Sequence, residues 1–236
     1  MKNLIKKVIA LSIVMCSTYT VMAHSYWLEV KGSGKVNDTV TLSLFFGEFE
    51  NKLKENKSYF LKNMETFTVW NKDENGVKID LKLQKDTNCF KAFFVPNSKG
   101  IYTVFFKEDS RAVQDWTKHG LGIIRPFENL KALYKVGKTK NNNLTSFIES
   151  KIDIMPYKSE YQLLLNNTPF ANKEISITTD KAVVFKIKTD NNGIFVLPKA
   201  KGMLLIDVDY KDNQKGVFDG KEFESSRYKY ALTLNL

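Results

Sequence analysis

His24 and His119 are the only imidazoles in the 236 residues, so any histidine-based chemistry must use one or both. His24 follows Ala23, at the end of a segment that reads as an export signal. Cleavage there makes it the first residue of the exported chain. A terminal histidine offers two nitrogens, its α-amine and Nδ1, which close a six-membered chelate ring on one metal ion. The amine has a reference pKa of about 7.7–8.0, so a metal ion can displace its proton near neutral pH. His119, just before Gly120 in a loop-like setting, would supply a third nitrogen. Three nitrogens in a T-shaped or square-planar set suit Cu(II) or Ni(II). Glu48, after Gly47 at the end of an apolar run, is a candidate oxygen ligand. Met64 and Met155 would suit a softer Cu(I) site, but packing is the stronger reading for both.

Other chemistries find no template. The sequence has no GxSxG, HExxH, CxxC or GxxxxGK[ST]. A Ser-His-Asp triad would have to use His119, and no nucleophile elbow accompanies it. Asp and Glu are frequent but scattered, without a readable acid–base pair. Two cysteines exclude a disulfide scaffold and a multi-cysteine zinc module.

The signal reading rests on Lys2, Lys6 and Lys7, the short apolar run Val8 to Cys16, and Val21, Met22 and Ala23 around the cleavage point. The run is well short of the ~20 residues of a membrane helix. Cleavage removes three lysines and lowers the formal charge from +10 to +7. It also removes Cys16, which follows Met15 rather than the small residue that lipidation wants. Cys89 is then unpaired and, within the apolar run CFKAFFV, reads as a buried small hydrophobe. An exported protein does not meet chromosomal DNA. The positive charge therefore reads as generic surface character, of a kind that favours an anionic envelope surface, rather than as a nucleic-acid footprint.

The elements that must position these residues are strands. Val40, Leu42, Leu44 and Phe46 alternate with polar or aromatic neighbours, as do Val77, Ile79, Leu81 and Leu83. Residues 101–106 and 183–187 are dense in β-branched and aromatic types. Tyr26, Trp27, Phe45, Phe46, Phe93, Phe94, Phe105 and Phe106 fall in such runs and read as core. Turn signals separate the runs at Gly32-Ser33-Gly34, Asn75-Gly76, Asn97-Ser98-Lys99-Gly100 and Asp190-Asn191-Asn192-Gly193. Short helices are expected only at 109–118 and, more weakly, 126–133, with a polar loop at 138–143. The pattern predicts an all-β protein. Its segments are a signal peptide (1–23), an N-terminal β-sandwich (24–156) and a C-terminal β-sandwich (157–236). Strands in the last segment are expected at 161–165, 174–178, 182–188, 193–196, 202–210 and 227–235.

The block Ala23-His24-Ser25-Tyr26-Trp27-Leu28-Glu29-Val30 resembles the opening of a family of exported bacterial proteins of unassigned function. That family is described as nickel-uptake-like, or as a periplasmic component associated with cobalt and nickel transport. Phe46-Gly47-Glu48, Lys151-Ile152-Asp153-Ile154-Met155-Pro156 and Leu165 to Asn172 are similar to later family segments. So are the Thr189-Asp190-Asn191-Asn192-Gly193 hairpin and the closing Ala231-Leu232-Thr233-Leu234. Asn167-Thr168 departs from the Asp-Gly that the family often shows before its proline. The resemblance implies an immunoglobulin-like N-terminal sandwich and a transthyretin-like, carboxypeptidase-regulatory-like C-terminal sandwich. It also implies an association with metal uptake. His24 and Glu48 match by motif, whereas His119 enters through the scarcity of histidine.

These observations make the expected function that of a periplasmic, non-enzymatic binder of nickel or cobalt, or of copper, that serves an envelope metal transporter. Two alternatives remain open. A terminal histidine on a β-sandwich also describes copper mono-oxygenases acting on polysaccharide, and a metal-free structural module fits the same composition.

Overall fold

A computed structural model describes residues 24–51, 53–55, 58–73, 75–138 and 145–236. The signal segment and most of the expected loop at 138–143 lie outside the described residues. Strand makes up 56% of the described residues and helix 4%, so the protein is all-β. The first half contains β1 (Ser25–Lys31), β2 (Val40–Glu48), β3 (Leu53–Lys54), α1 (Ser58–Met64), β4 (Thr68–Lys72), β5 (Lys78–Leu81), β6 (Gln84–Lys85), β7 (Phe90–Phe94), β8 (Gly100–Glu108), β9 (Gln114–Asp115) and β10 (Ile123–Val136). The second half contains β11 (Ile152–Tyr157), β12 (Glu160–Leu165), β13 (Thr168–Pro169), β14 (Glu174–Thr179), β15 (Val184–Lys188), β16 (Ile194–Phe195), β17 (Met203–Asp212), β18 (Gly216–Phe218), β19 (Lys221–Phe223) and β20 (Ser225–Asn235).

Three sheets stack as layers. The middle layer is a nine-stranded sheet in the order β15-β14-β17-β20-β10-β8-β4-β5, with β9 added beside β10. Its neighbours are antiparallel except β10 and β20, which run parallel and join the two halves of the chain. A five-stranded sheet (β1-β2-β7-β6, with β3 beside β2) covers one face, and a four-stranded sheet of β11, β12, β13 and β16 covers the other.

Period-2 alternation divides the middle strands between two cores. On β8, Tyr102, Val104 and Phe106 enter the first core and Phe105 the second. On β17, Leu205 enters the first, and Leu204, Ile206 and Val208 the second. On β20, Ala231 enters the first, and Tyr230, Leu232 and Leu234 the second. Being covered on both faces explains why these strands read as continuous apolar runs rather than clean alternations.

Several sequence expectations change in this setting. The division expected between 156 and 157 falls inside the β11–β12 hairpin, where Pro156 pairs with Tyr161. A strand pair therefore occupies the place of a linker, and the nine-stranded sheet unites strands from both proposed segments. The weak helix at 126–133 is instead part of β10, which is fourteen residues long. Pro126 fits this strand because pairing to β9 ends at Ile124 and pairing to β8 begins at Glu128, which leaves a gap for a residue without an N–H. The helix expected at 109–118 is replaced by β9 and a single 3₁₀ turn, Thr117–His119. Gly120 does stop that turn, in the left-handed region at φ 72°. The alternation at 77–83 marks an edge strand, with Val77 and Ile79 largely exposed, rather than a core strand. Phe93, expected in the core, is 42% exposed. The expected C-terminal strands match β12, β14, β15, β16, β17 and β20 to within two residues at each end.

Candidate functional site

β1 pairs with β2 in the register Ser25↔Gly47, so His24 and Glu48 stand at the same end of the five-stranded sheet. The His24 ring stacks on Phe46, with centroids 5.5 Å apart and planes 25° apart. Its Nε2–H donates to Glu55 Oε1 at 3.2 Å. Glu55 is fixed from its own backbone, since its N–H donates to the Phe46 carbonyl at 2.8 Å. Gly47 makes this corner possible. Its φ is 147°, and a Cβ there would lie 2.0 Å from the Leu53 carbonyl oxygen, where β3 pairs with β2. Glu48 Oε2 accepts from Asn51 Nδ2 at 2.9 Å. Beside this rim, Glu29 holds Lys54 at 2.9 Å and Lys31 at 3.0 Å. Its carboxyl pKa is lowered: burial opposes this, but the hydrogen bonds and charges of the two lysines outweigh it.

His119 belongs to a different element, the exposed 3₁₀ turn between β9 and β10. Asp115 anchors that turn by accepting from the Thr117 N–H at 2.9 Å. Among the described residues, no three His, Cys, Asp or Glu side chains are gathered as a metal-ligand set. His24 and Glu48 therefore share a rim, but His24, Glu48 and His119 do not form such a set as the chain is described. Met64 is fully buried in the first core. Met155 lies in β11, with Sδ 3.3 Å from Lys131 Nζ. Cys89 is buried, and burial pushes its thiol pKa up, as suits a packing residue rather than a reactive one.

Two charged clusters escaped sequence reasoning. The first lies between the middle and four-stranded sheets. Lys131, fully buried on β10, places Nζ 2.9 Å from Asp153 Oδ1 and 3.2 Å from the Ile154 carbonyl. Asp153 Oδ1 also accepts from the Tyr230 hydroxyl at 2.8 Å, and Oδ2 accepts from the Phe147 N–H at 2.8 Å and the Ser146 hydroxyl at 3.1 Å. Burial lowers the Lys131 pKa while Asp153 opposes it, and burial raises that of Tyr230. The second cluster lies between the five-stranded and middle sheets. Arg111 stands 3.2 Å from Glu108, 3.7 Å from Glu128 and 3.5 Å from the Tyr26 hydroxyl. The sequence hides both clusters because the members of each come from three strands and a loop. The one available signal was a charged residue at an inward position of an apolar strand, as with Lys131 between Leu130 and Ala132.

The fold and these clusters define an all-β protein built on a shared central sheet. Compared with protein-family models and with the curated proteins, the sequence matches none. Among the described residues, no helix is long and apolar enough to cross a membrane.

Proposed function

We propose that this is an exported, non-catalytic protein that binds a divalent transition metal ion, nickel or cobalt or else copper, in the periplasm and serves an envelope metal transporter. The observation that carries the reading is the His24–Glu55 pair. A metal-ligating imidazole usually donates its second ring N–H to a carboxylate, which fixes the tautomer and the ring orientation. With Nε2–H given to Glu55, the lone pair lies on Nδ1, the nitrogen that chelates together with an α-amine of the same residue. Removal of residues 1–23 supplies that amine. Glu48 offers an oxygen at the same rim, and the exposed turn carrying His119 would add a third nitrogen by closing toward it. Amine, imidazole and carboxylate together suit nickel, cobalt and copper.

Calorimetric titration of the chain beginning at His24 with nickel, cobalt and copper salts should give one-to-one binding. Absence of binding for all three overturns the reading. Affinity should fall as pH drops from about 7.5 to 5, because amine and imidazole must both be deprotonated. Glu55→Gln should weaken binding by roughly tenfold or more, the range for loss of a carboxylate behind a metal-bound histidine. Mass spectrometry of protein recovered from the envelope should show His24 as the first residue. A chain retaining Met1, or lipidated at Cys16, would have no His24 amine and would remove the chelate.

A further inference from the structure

β3 has only two residues, Leu53 and Lys54, yet it leads directly to the carboxylate that holds His24. Leu53 is 46% exposed and gives the strand no apolar anchor. Two register pairs with β2, Gly47↔Lys54 and Glu48↔Leu53, place its backbone, and the Glu55 N–H extends them to the Phe46 carbonyl. Successive side chains of an extended segment leave on opposite faces. Glu55 meets the His24 ring on the face that Phe46 shares with Tyr26. Lys54 leaves on the other face, where Phe45 stacks on Trp27. There its Nζ sits 3.6 Å from the centre of the Phe45 ring and 2.9 Å from Glu29 Oε1. Phe45 belongs to β2 and Glu29 to β1, so one side chain clips β3 onto both strands that form the rim. Phe45 and Trp27 are buried, so the ring beneath the ammonium is held by packing. Lys31 reaches the other oxygen of Glu29 at 3.0 Å, but it stands in solvent and touches β1 alone.

We propose that Lys54 is a positioning residue, which fixes β3 from one face of the sheet so that Glu55 holds the His24 ring on the other. The cation lies over an aromatic face and pairs with a carboxylate that is largely buried, a firmer tether than an exposed ion pair. Without the ammonium, β3 keeps its two register pairs and one further amide bond, and Glu55 spends more time away from Nε2. The imidazole then turns about its side-chain bonds, and Nδ1 no longer points steadily at the place a metal ion would share with the α-amine. A carboxylate behind a histidine raises metal affinity by fixing that orientation. Lys54 thus acts on the metal through Glu55. Its effect on affinity rests on the metal-binding reading, whereas its placing of Glu55 holds with or without a metal.

The test has a metal-free half and a nickel half, both on the chain beginning at His24 at neutral pH. Without metal, backbone amide exchange at Glu55 should be several-fold faster in Lys54→Met than in wild type. Lys31→Met, which leaves the Lys54–Glu29 pair intact, should match wild type. Lys54→Arg should restore slow exchange, because a guanidinium also stacks on a ring while pairing with a carboxylate. With nickel, calorimetry should show Lys54→Met binding roughly fivefold more weakly and Lys54→Arg close to wild type. In a Glu55→Gln background, Lys54→Met should cause no further loss, the non-additivity expected of two residues acting through one contact. Glu55 exchange unchanged by Lys54→Met overturns the proposal, and so does a full fivefold further loss in the Glu55→Gln background. A wild-type chain that binds no nickel but shows the exchange pattern removes the metal-binding reading and leaves the role of Lys54 standing.

Discussion

Asp153→Ala is expected to destabilise the protein by about 3–5 kcal/mol, the range for breaking a buried ion pair from one side. The loss should exceed that of Lys131→Met, and the reason lies in what each change leaves behind. Without the Asp153 carboxylate, the Lys131 ammonium stays buried with the Ile154 carbonyl and the Met155 sulfur as its remaining neighbours. The Phe147 N–H and the Tyr230 and Ser146 hydroxyls lose the acceptor they share. Without the Lys131 ammonium, Asp153 still accepts from Tyr230, Phe147 and Ser146, and a methionine fills most of the vacated volume. Lys131→Met should therefore cost only about 1–3 kcal/mol, the scale of a buried polar group left short of a partner. Denaturant unfolding of both variants at neutral pH checks the order. Equal losses would show that the surrounding donors do not hold the carboxylate by themselves.

Placing one residue before His24 should weaken nickel or copper binding by roughly 100-fold, equivalent to about 2.8 kcal/mol. The extra residue turns the α-amine of His24 into an amide and moves the new amine beyond the chelate ring. The imidazole, its stacking on Phe46 and its bond to Glu55 are left in place. The fold is thus retained while one donor is withdrawn, and calorimetry on the two chains isolates the amine. Unchanged affinity would remove the amine from the ligand set. His119→Ala tests the remaining nitrogen in the same assay. Unchanged affinity there would confine the site to the rim that carries His24 and Glu48.

The strands were legible because their physics is local. Alternation at 40–46 and the turn chemistry at 190–193 mark β2 and the β15–β16 connection without reference to the rest of the chain. In the latter, Asp190 Oδ1 accepts from the Asn192 and Ile194 N–H groups, and Gly193 takes φ 73°. What alternation cannot report is which strand lies at an edge. Residues 77–83 and 184–188 carry core-like patterns, yet β5 and β15 close the two ends of the nine-stranded sheet, with little packed outside them. The partition into sheets was also hidden, because the β10–β20 pairing joins residues about a hundred positions apart. The rim at His24 was legible from residue types, with His24 and Glu48 both named. Glu55 was missed, because its place beside His24 depends on the pairing of β3 with β2 at Gly47. Lys131 and Asp153 were missed for a simpler reason, since a lysine or aspartate in a strand ordinarily faces water.

The position of Ser225–Asn235 has a consequence for biogenesis. This strand lies between β10 and β17 in the middle of the nine-stranded sheet and contributes to both cores, yet it follows every other strand of that sheet in sequence. Until it arrives, β10 and β17 each present an unpaired edge, and neither core can close. A chain emerging from its N-terminus therefore keeps both cores open until residues 225–235 have followed the rest of the sheet. Folding then waits on contacts between distant parts of the chain, the slow regime for β-proteins. Removal of β20 should be nearly as damaging as loss of a whole layer, although the strand is only eleven residues long. Soluble yield of a chain ending at Phe223 would measure this, with proteolytic degradation expected in place of a folded product.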